Sequence, residues 1–370
     1  DVACTPERNG WEDQIRSVVH IVFPISGGAA VCSAATINNT AQDCKPYILT
    51  AWHCGERNAG DNLNNWVWYW NYQKSTCQPN SNSQNPGKGN ETMTGGIVRA
   101  SSGNGTLTNP PSGGQVAGSD FMLVELNQAI PQSYNPYYAG WSRANTAATS
   151  GVGIHHPAGS AKKISTFSST LSNSSFNGGG FNHFWAVQWV ATTNGHGVTE
   201  GGSSGSPIFN QNGLIVGQLT GGSSTCNSPN STDVYGKMSS NWNANGSSAA
   251  AQLAPWLDPN NTGATTLAGS NCGGTPPPPP PTGCINPTTT YTMGYEENED
   301  LSNWTVFNVN QDQINGNAVT WGVINQSAFQ SGAMTARTGQ RLAYYFYNSQ
   351  NTNIGADDWL VTPCIDLEPG

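Results

Sequence analysis

The sequence predicts an all-β fold of short strands, and three observations carry that prediction. Glycine (44) and proline (23) abound among many asparagines and serines, and only 9% of residues are charged. Such a mixture punctuates a chain with turns. Apolar runs are short and bounded by Gly, Asn or Ser, as strands are. Long amphipathic helical patterns are scarce, so strands must supply most of the packing layers.

A chain of 370 residues can bury a substantial core and is expected to hold more than one domain. The net charge of −9 argues against nucleic acid or an anionic membrane as partner, and weakly favours cationic substrates. No apolar run approaches the ~18 residues of a membrane helix. Nine cysteines without a repeated C-x-x-C favour disulfides and a secreted protein over zinc, and the odd count leaves one cysteine over. The sequence begins at Asp1 without a signal segment and reads as a mature form from which a signal has been removed.

In chain order, residues 17–23 and 47–51 read as strands. In 66–72, Trp66, Trp68 and Trp70 alternate with Val67 and Tyr69, a ladder assigned to sheet packing rather than to ligand stacking. A polar Gly/Asn-rich stretch, 78–119, contains short strands such as Gly96-Ile97-Val98, and Phe121–Leu126 is a strongly apolar strand. Residues 184–190 form another. Residues 207–219 read as a hairpin turning at Asn212-Gly213. The Ala-rich segment 243–254 is the one expected helix, ended or kinked by Pro255.

Composition then shifts. Six prolines (276–281) follow Gly273-Gly274-Thr275, an extended spacer of about 3.1 Å per residue. The expected organisation is a first domain over 1–268, a Gly/Pro-rich linker over 269–283 and a second, partial β-sandwich over 284–370. Cys284 and Cys364 bracket the last segment and could close it as one loop.

Gly201-Gly202-Ser203-Ser204-Gly205-Ser206-Pro207 is a small, uncharged turn leading into the predicted hairpin. If one of its serines is a nucleophile, neighbouring backbone N–H groups can receive an oxyanion. A plain Gly/Ser surface loop is the competing reading. A serine nucleophile needs a histidine base and an orienting acid. His53 directly follows the strand Tyr47–Ala51 and precedes Cys54, a firm mount for a base. Between His53 and Ser204 there are only two aspartates, Asp61 in a Gly-Asp-Asn turn and Asp120 at the head of an apolar strand, so Asp120 is the candidate acid.

In the order His53, Asp120, Ser204, the stretches Thr-Ala-Trp-His-Cys, Ser-Asp-Phe-Met-Leu and Gly-Ser-Ser-Gly-Ser-Pro resemble the chymotrypsin-fold serine proteases. Within that fold the chain is most similar to the bacterial lysyl endopeptidases of the Achromobacter protease I type. Further matching stretches include Tyr69–Gln73, Ile154–Pro157, Gly197–Glu200, Asp233–Gly236 and Trp256–Pro259, so the resemblance covers about residues 1–268. It implies a trypsin-like double β-barrel with a C-terminal helix and a site between the barrels. It implies Ser204 as nucleophile, His53 as base and then acid, Asp120 as orienting acid, and the N–H groups of Gly202 and Ser204 as oxyanion hole. It implies the disulfides Cys32–Cys54 and Cys4–Cys77, with Asp233 at the base of the S1 pocket facing a substrate ammonium.

Ser203 stands where animal relatives usually carry an Asp that pairs with a new N-terminal amine. The resemblance therefore implies no such ion-pair switch, and activation by loss of a pro-segment. Asn177 and Thr220 stand where the best-known members carry a Trp and a second His stacked by the base. The family partner of Cys226 lies upstream of Asp1; Cys44 and Cys272 are further candidates, and the pairing stays open. His155-His156, without a carboxylate at fixed offset, is expected to be structural or a cleft wall rather than a metal site. Past the linker, Met293–Glu296, Asn303-Trp304 and Asp357–Pro363 resemble the jelly-roll adhesin-like domains of secreted bacterial proteases.

The sequence thus points to a secreted, monomeric serine endopeptidase that cuts protein or peptide substrates after lysine and needs no cofactor or metal. Two alternatives are broader Lys/Arg cleavage and an inactive protease-like domain serving a surface-binding protein.

Overall fold

The computed structural model describes residues 1–55, 63–78, 91–105, 117–176 and 182–272, and beyond them six short strands between 305 and 361. The chain divides into two compact units, Asp1–Cys272 and Gly273–Gly370.

A short helix, α1 (Glu12–Ser17), opens the first unit. The first sheet then contains β1 (Val18–Ile25), β2 (Gly28–Thr36), β3 (Tyr47–Ala51), β4 (Val67–Tyr69), β5 (Thr92–Thr94), β6 (Ile97–Ser101) and β7 (Phe121–Glu125), in the order β5-β4-β1-β2-β3-β7-β6. Trp66, Trp68 and Trp70 are buried, and Trp66 stacks on Phe23 at 4.4 Å between ring centroids. The aromatic ladder is packing, as its alternation predicts.

The second sheet contains β8 (Trp141–Ser142), β9 (Gly151–His155), β10 (Lys163–Phe167), β11 (Ser172–Ser174) and β12 (Phe184–Val187). A separate two-stranded ribbon follows, β13 (Ala191–Thr192) with β14 (Gly195–His196). Strands β15 (Pro207–Asn210), β16 (Ile215–Gly222), β17 (Asp233–Lys237) and β18 (Thr266–Leu267) complete the sheet, whose main path is β10-β9-β15-β16-β17-β12-β11. β15 and β16 are the predicted hairpin. Gly213 takes φ +72°, and the Asn210 side chain accepts the N–H groups of Asn212 and Leu214 at 3.0 Å each. Leu49, Phe121 and Leu123 of the first sheet share one apolar cluster with Val152, Ile154, Phe209 and Ile215 of the second. Two consecutive, mainly antiparallel sheets around a common core are the all-β, trypsin-like architecture expected.

The helix prediction needs correcting. Helix α2 is Met238–Asn243, before the expected segment; Ala249–Ala251 is one 3-10 turn, and α3 is Ala254–Leu257. Asn245-Gly246-Ser247-Ser248 interrupts the helical run, and the Asn245 side chain is drawn away to Ser119 and to the Ser240 carbonyl. Pro255 sits in the first turn of α3, where its missing N–H costs nothing, so it starts a helix rather than ending one.

Cys4–Cys77 and Cys32–Cys54 form as expected. Cys44 pairs with Cys272, tying the β2–β3 connection to the end of the first unit, and Cys226 is free and exposed. In the second unit, Thr305–Asn308 pairs with Asp358–Val361, Gln313–Ile314 with Asn317–Ala318, and Trp321–Asn325 with Arg341–Tyr345, all antiparallel. The proline linker and Cys284–Cys364 lie outside the described residues.

Candidate active site

Strand register brings the first two predicted residues together. β3 and β7 run antiparallel with Ala51 opposite Phe121, so the end of one strand meets the start of the other. Trp52 donates its N–H to the Asp120 carbonyl at 2.9 Å, and His53 follows on the turn Trp52–Cys54. The Asp120 carboxylate receives the His53 ring at Nδ1 (2.8 Å, to Oδ2) and the His53 backbone N–H (3.1 Å, to Oδ1). Asp120 is fully buried and takes φ +63°, a left-handed backbone that Asp tolerates better than most residues. An unfavourable dihedral in a buried residue is kept where its surroundings over-determine it. Those surroundings are a buried polar network. Ser119 donates its hydroxyl to Asn241 (2.7 Å), Asn245 donates to Ser119 Oγ (2.7 Å), and Gln218 donates to the Ser119 carbonyl (2.9 Å). None of these three partners has a local sequence signature, since each lies about a hundred residues or more from Ser119.

The Gly201–Pro207 loop meets the same place from the second sheet. Ser33 of β2 donates its N–H to the Ser204 carbonyl at 2.8 Å. Gly205 takes φ +79°, and a Cβ there would lie 2.5 Å from the Ser33 oxygen and 2.7 Å from the Ala51 nitrogen. Glycine therefore lets the loop press against the end of β3, two residues before His53. The Cys32–Cys54 disulfide closes the same corner. Within the loop, the Ser203, Gly205 and Ser206 N–H groups donate to Glu200, Leu219 and Ser203 carbonyls respectively. The Gly202 and Ser204 N–H groups have no partner among the described residues. This alternation leaves without a partner among the described residues the two donors that the resemblance implies for an oxyanion hole.

Asp233 heads β17, between Gly222 at the end of β16 and Val187 at the end of β12. It is fully buried. Its Oδ2 accepts Trp189 Nε1 (2.7 Å), Thr199 Oγ1 (2.7 Å) and Ser224 Oγ (2.6 Å), whereas among the described residues Oδ1 accepts only the Ser224 N–H (3.0 Å). Oδ1 faces Gly222, where any Cβ would collide with it. A carboxylate fixed by four donors, with spare acceptor capacity towards a glycine, can receive a cation. Trp189, Thr199 and Ser224 were not singled out by sequence; a polar loop before Asp233 gave no hint of them. Thr220 is buried, and its Oγ1 has no partner among the described residues. Asn177 lies outside them.

The profile of the lysyl endopeptidase C-terminal domain matches residues 1–236. This chain belongs to the lysyl endopeptidase family. A lysyl endopeptidase of Pseudomonas aeruginosa is 27% identical over 242 residues, which are 62% of this chain and 46% of that protein. The chain thus spans about half the length of the curated relative it matches. Among solved structures, the thermostable serine protease AL20 from an extremophilic microorganism is 14% identical, with a TM-score of 0.41 over 61% of this chain and 92% of that one. A Glu endopeptidase is 15% identical, with a TM-score of 0.35 over 64% and 87%. The match over residues 1–236 carries the family assignment.

In this lysyl endopeptidase family member, His155 and His156 are fully buried, and no group of three or more His, Cys, Asp or Glu suited to a metal occurs among the described residues. His156 donates from Nδ1 to the Ser160 carbonyl (3.0 Å) and packs on His20, which stacks on Tyr72. Burial pushes His20 down to about 4, His155 down to about 3 and His156 well below the ordinary range. These rings stay neutral in the folded state, while unfolded histidine takes up a proton near 6.5. Their contribution to stability is therefore complete above about pH 6.5 and is lost as pH falls towards 4. For His20 alone the loss amounts to about 3 kcal/mol. Urea melts at pH 7, 5 and 4 are expected to show a midpoint falling steadily over this window. A midpoint unchanged from pH 7 to 5 would contradict these burial-depressed values.

Proposed function

We propose that this chain is a secreted serine endopeptidase that hydrolyses peptide bonds after lysine. The observation that carries this reading is the buried Asp120 holding His53 at the strand ends onto which the Ser204 loop is packed. Ser204 Oγ attacks the scissile carbonyl, and His53 takes its proton through Nε2. Asp120 keeps the other ring proton on Nδ1 and stabilises the imidazolium. The Gly202 and Ser204 N–H groups receive the developing oxyanion. His53 then protonates the leaving amine, and water hydrolyses the acyl-enzyme with the same base.

Asp233 is the proposed floor of the S1 pocket. Its buried carboxylate offers Oδ1 to a substrate ammonium, while Trp189, Thr199 and Ser224 prevent it from turning away. Asp233→Asn is expected to lower kcat/KM on lysyl peptides by about 10²–10³-fold, the usual cost of leaving a charge without its partner. Phosphonylation of Ser204 by a small fluorophosphonate, which does not use S1, is expected to change little. Steady-state kinetics and labelling rates on the same sample check both parts.

Three disulfides among the described residues support an oxidising, extracellular location. No helix among the described residues is long and apolar enough to cross a membrane. Removal of a pro-segment, a monomeric state, and attachment through a β-sandwich at 284–370 belong to the same proposal. Fluorophosphonate labelling of the full chain, mapped by peptide mass spectrometry, tests the reading. Label on Ser204 supports it, and a folded but unlabelled protein rejects it in favour of an inactive protease-like domain.

A further inference from the structure

Ser203, beside the proposed nucleophile, is more than the small filler its size suggests. Its side chain is completely buried. Its Oγ accepts the Glu200 N–H at 3.1 Å and lies 2.8 Å from Nδ1 of His155 at the end of β9. On the other side of the ring, His155 Nε2 lies 3.0 Å from Ser165 Oγ on β10, and that hydroxyl donates to the Val198 carbonyl at 3.3 Å.

The protons in this chain can be placed. The Ser165 hydroxyl proton is used on Val198, so His155 Nε2 carries hydrogen and donates to Ser165. His155 Nδ1 is then bare and accepts the Ser203 hydroxyl proton, while the Ser203 oxygen keeps a lone pair for the Glu200 N–H. Each of these protons has one acceptor. The opposite tautomer would leave the Ser203 hydroxyl proton without a place, since Nδ1–H would point at the same oxygen. Burial pushes His155 down to about 3, so the ring is neutral at neutral pH.

The arrangement bears on the reaction through the backbone. Ser203 N–H donates to the Glu200 carbonyl at 2.9 Å, and Gly202 takes φ +94°. Glycine at that position gives the adjoining peptide freedom to rotate. Rotation of the Gly202–Ser203 peptide would break the Glu200 bond and the bond from the Ser33 hydroxyl to the Gly202 carbonyl (2.9 Å), and would displace the Gly202 and Ser204 donors on either side of it. The Ser203 side chain, anchored to two strands through His155 and Ser165, opposes that rotation.

We propose that His155 is a positioning residue that keeps the oxyanion loop in its open-donor conformation through Ser203, as an uncharged latch. The proposal rests on the reading of Ser204 as nucleophile, and it assigns the loop's order to a neutral hydrogen-bond chain rather than to an ion pair.

The test uses the full chain and the variants Ser203→Ala, His155→Leu, His155→Asn and the double variant Ser203→Ala/His155→Leu. Asparagine can place an acceptor near the position of Nδ1. Each is assayed for kcat and KM on a lysyl amide. Each is also assayed for affinity towards a lysyl peptide aldehyde, which forms a tetrahedral adduct, and towards n-pentylamine, which needs only S1. Ser203→Ala and His155→Leu are each expected to lower kcat and aldehyde affinity by about 10–10²-fold, below the full effect of removing a hole donor. KM and pentylamine affinity are expected to hold within about twofold. The double variant is expected to be no worse than the poorer single variant, and His155→Asn to recover most of the loss. Equal losses in pentylamine and aldehyde affinity, or single losses that multiply in the double variant, would overturn the latch. If His155→Leu fails to fold in a thermal melt, Ser203→Ala and His155→Asn decide alone. An unlabelled Ser204 in the wild type would reject the nucleophile and the latch together. A labelled wild type with undiminished turnover in Ser203→Ala would reject the latch only.

Discussion

Ser204→Ala is expected to lower kcat for peptide hydrolysis by roughly 10⁶-fold, the scale of losing the nucleophile of a serine triad. The fold is expected to survive. The loop is held by the Ser204 carbonyl, which accepts the Ser33 N–H, and by Gly205 pressed on β3; both contacts are backbone and remain in the variant. Residual hydrolysis would come from the oxyanion donors and substrate binding alone. Turnover of a lysyl amide beside a thermal melt checks the claim. A loss below about 10³-fold in a sample with unchanged melting temperature would place the nucleophile elsewhere.

Asp120→Asn is the second large effect, with kcat expected to fall about 10⁴-fold at neutral pH. The carboxylate accepts from His53 twice, at Nδ1 through Oδ2 and at the backbone N–H through Oδ1. An asparagine can keep its oxygen on the backbone N–H, but it then presents an NH₂ to Nδ1. The ring must place its proton on Nε2 to avoid two facing donors, and Nε2 can no longer accept the Ser204 proton. Asn tolerates the left-handed backbone that Asp120 adopts at φ +63°, so the variant tests charge and tautomer rather than strain. A near wild-type kcat would remove Asp120 from the reaction.

How much of this was legible in the sequence depended on the range of the interaction. Short-range signals read well. The alternating tryptophans, the Asn212-Gly213 turn and the apolar strand after Asp120 lie where local pattern puts them, because pleat and turn geometry are set by adjacent residues. The helix expected over 243–254 is misplaced. Alanine content suggested a helix, but it could not report that the Asn245 side chain leaves the helical run for Ser119. The partner of Cys44 was open until tertiary structure joined positions 228 residues apart. The donors on Asp233 and the polar network behind Asp120 share that character: each bond joins distant segments, and serine, threonine or asparagine in a turn-rich chain carries no mark of it. Ser203 illustrates the same limit. Its identity excluded a carboxylate ion pair, but only the folded chain places the His155 ring against it.

Digesting a denatured protein with the full chain, and mapping every cut bond by mass spectrometry, tests the central claim most directly. The account predicts cuts after lysine, from the charge of Asp233, and none with Ser204→Ala. A compact ammonium and a planar guanidinium differ in size and hydrogen-bond geometry, so few cuts after arginine are expected. Frequent cuts after arginine would contradict lysine selectivity, and cuts that persist in Ser204→Ala would contradict the account as a whole.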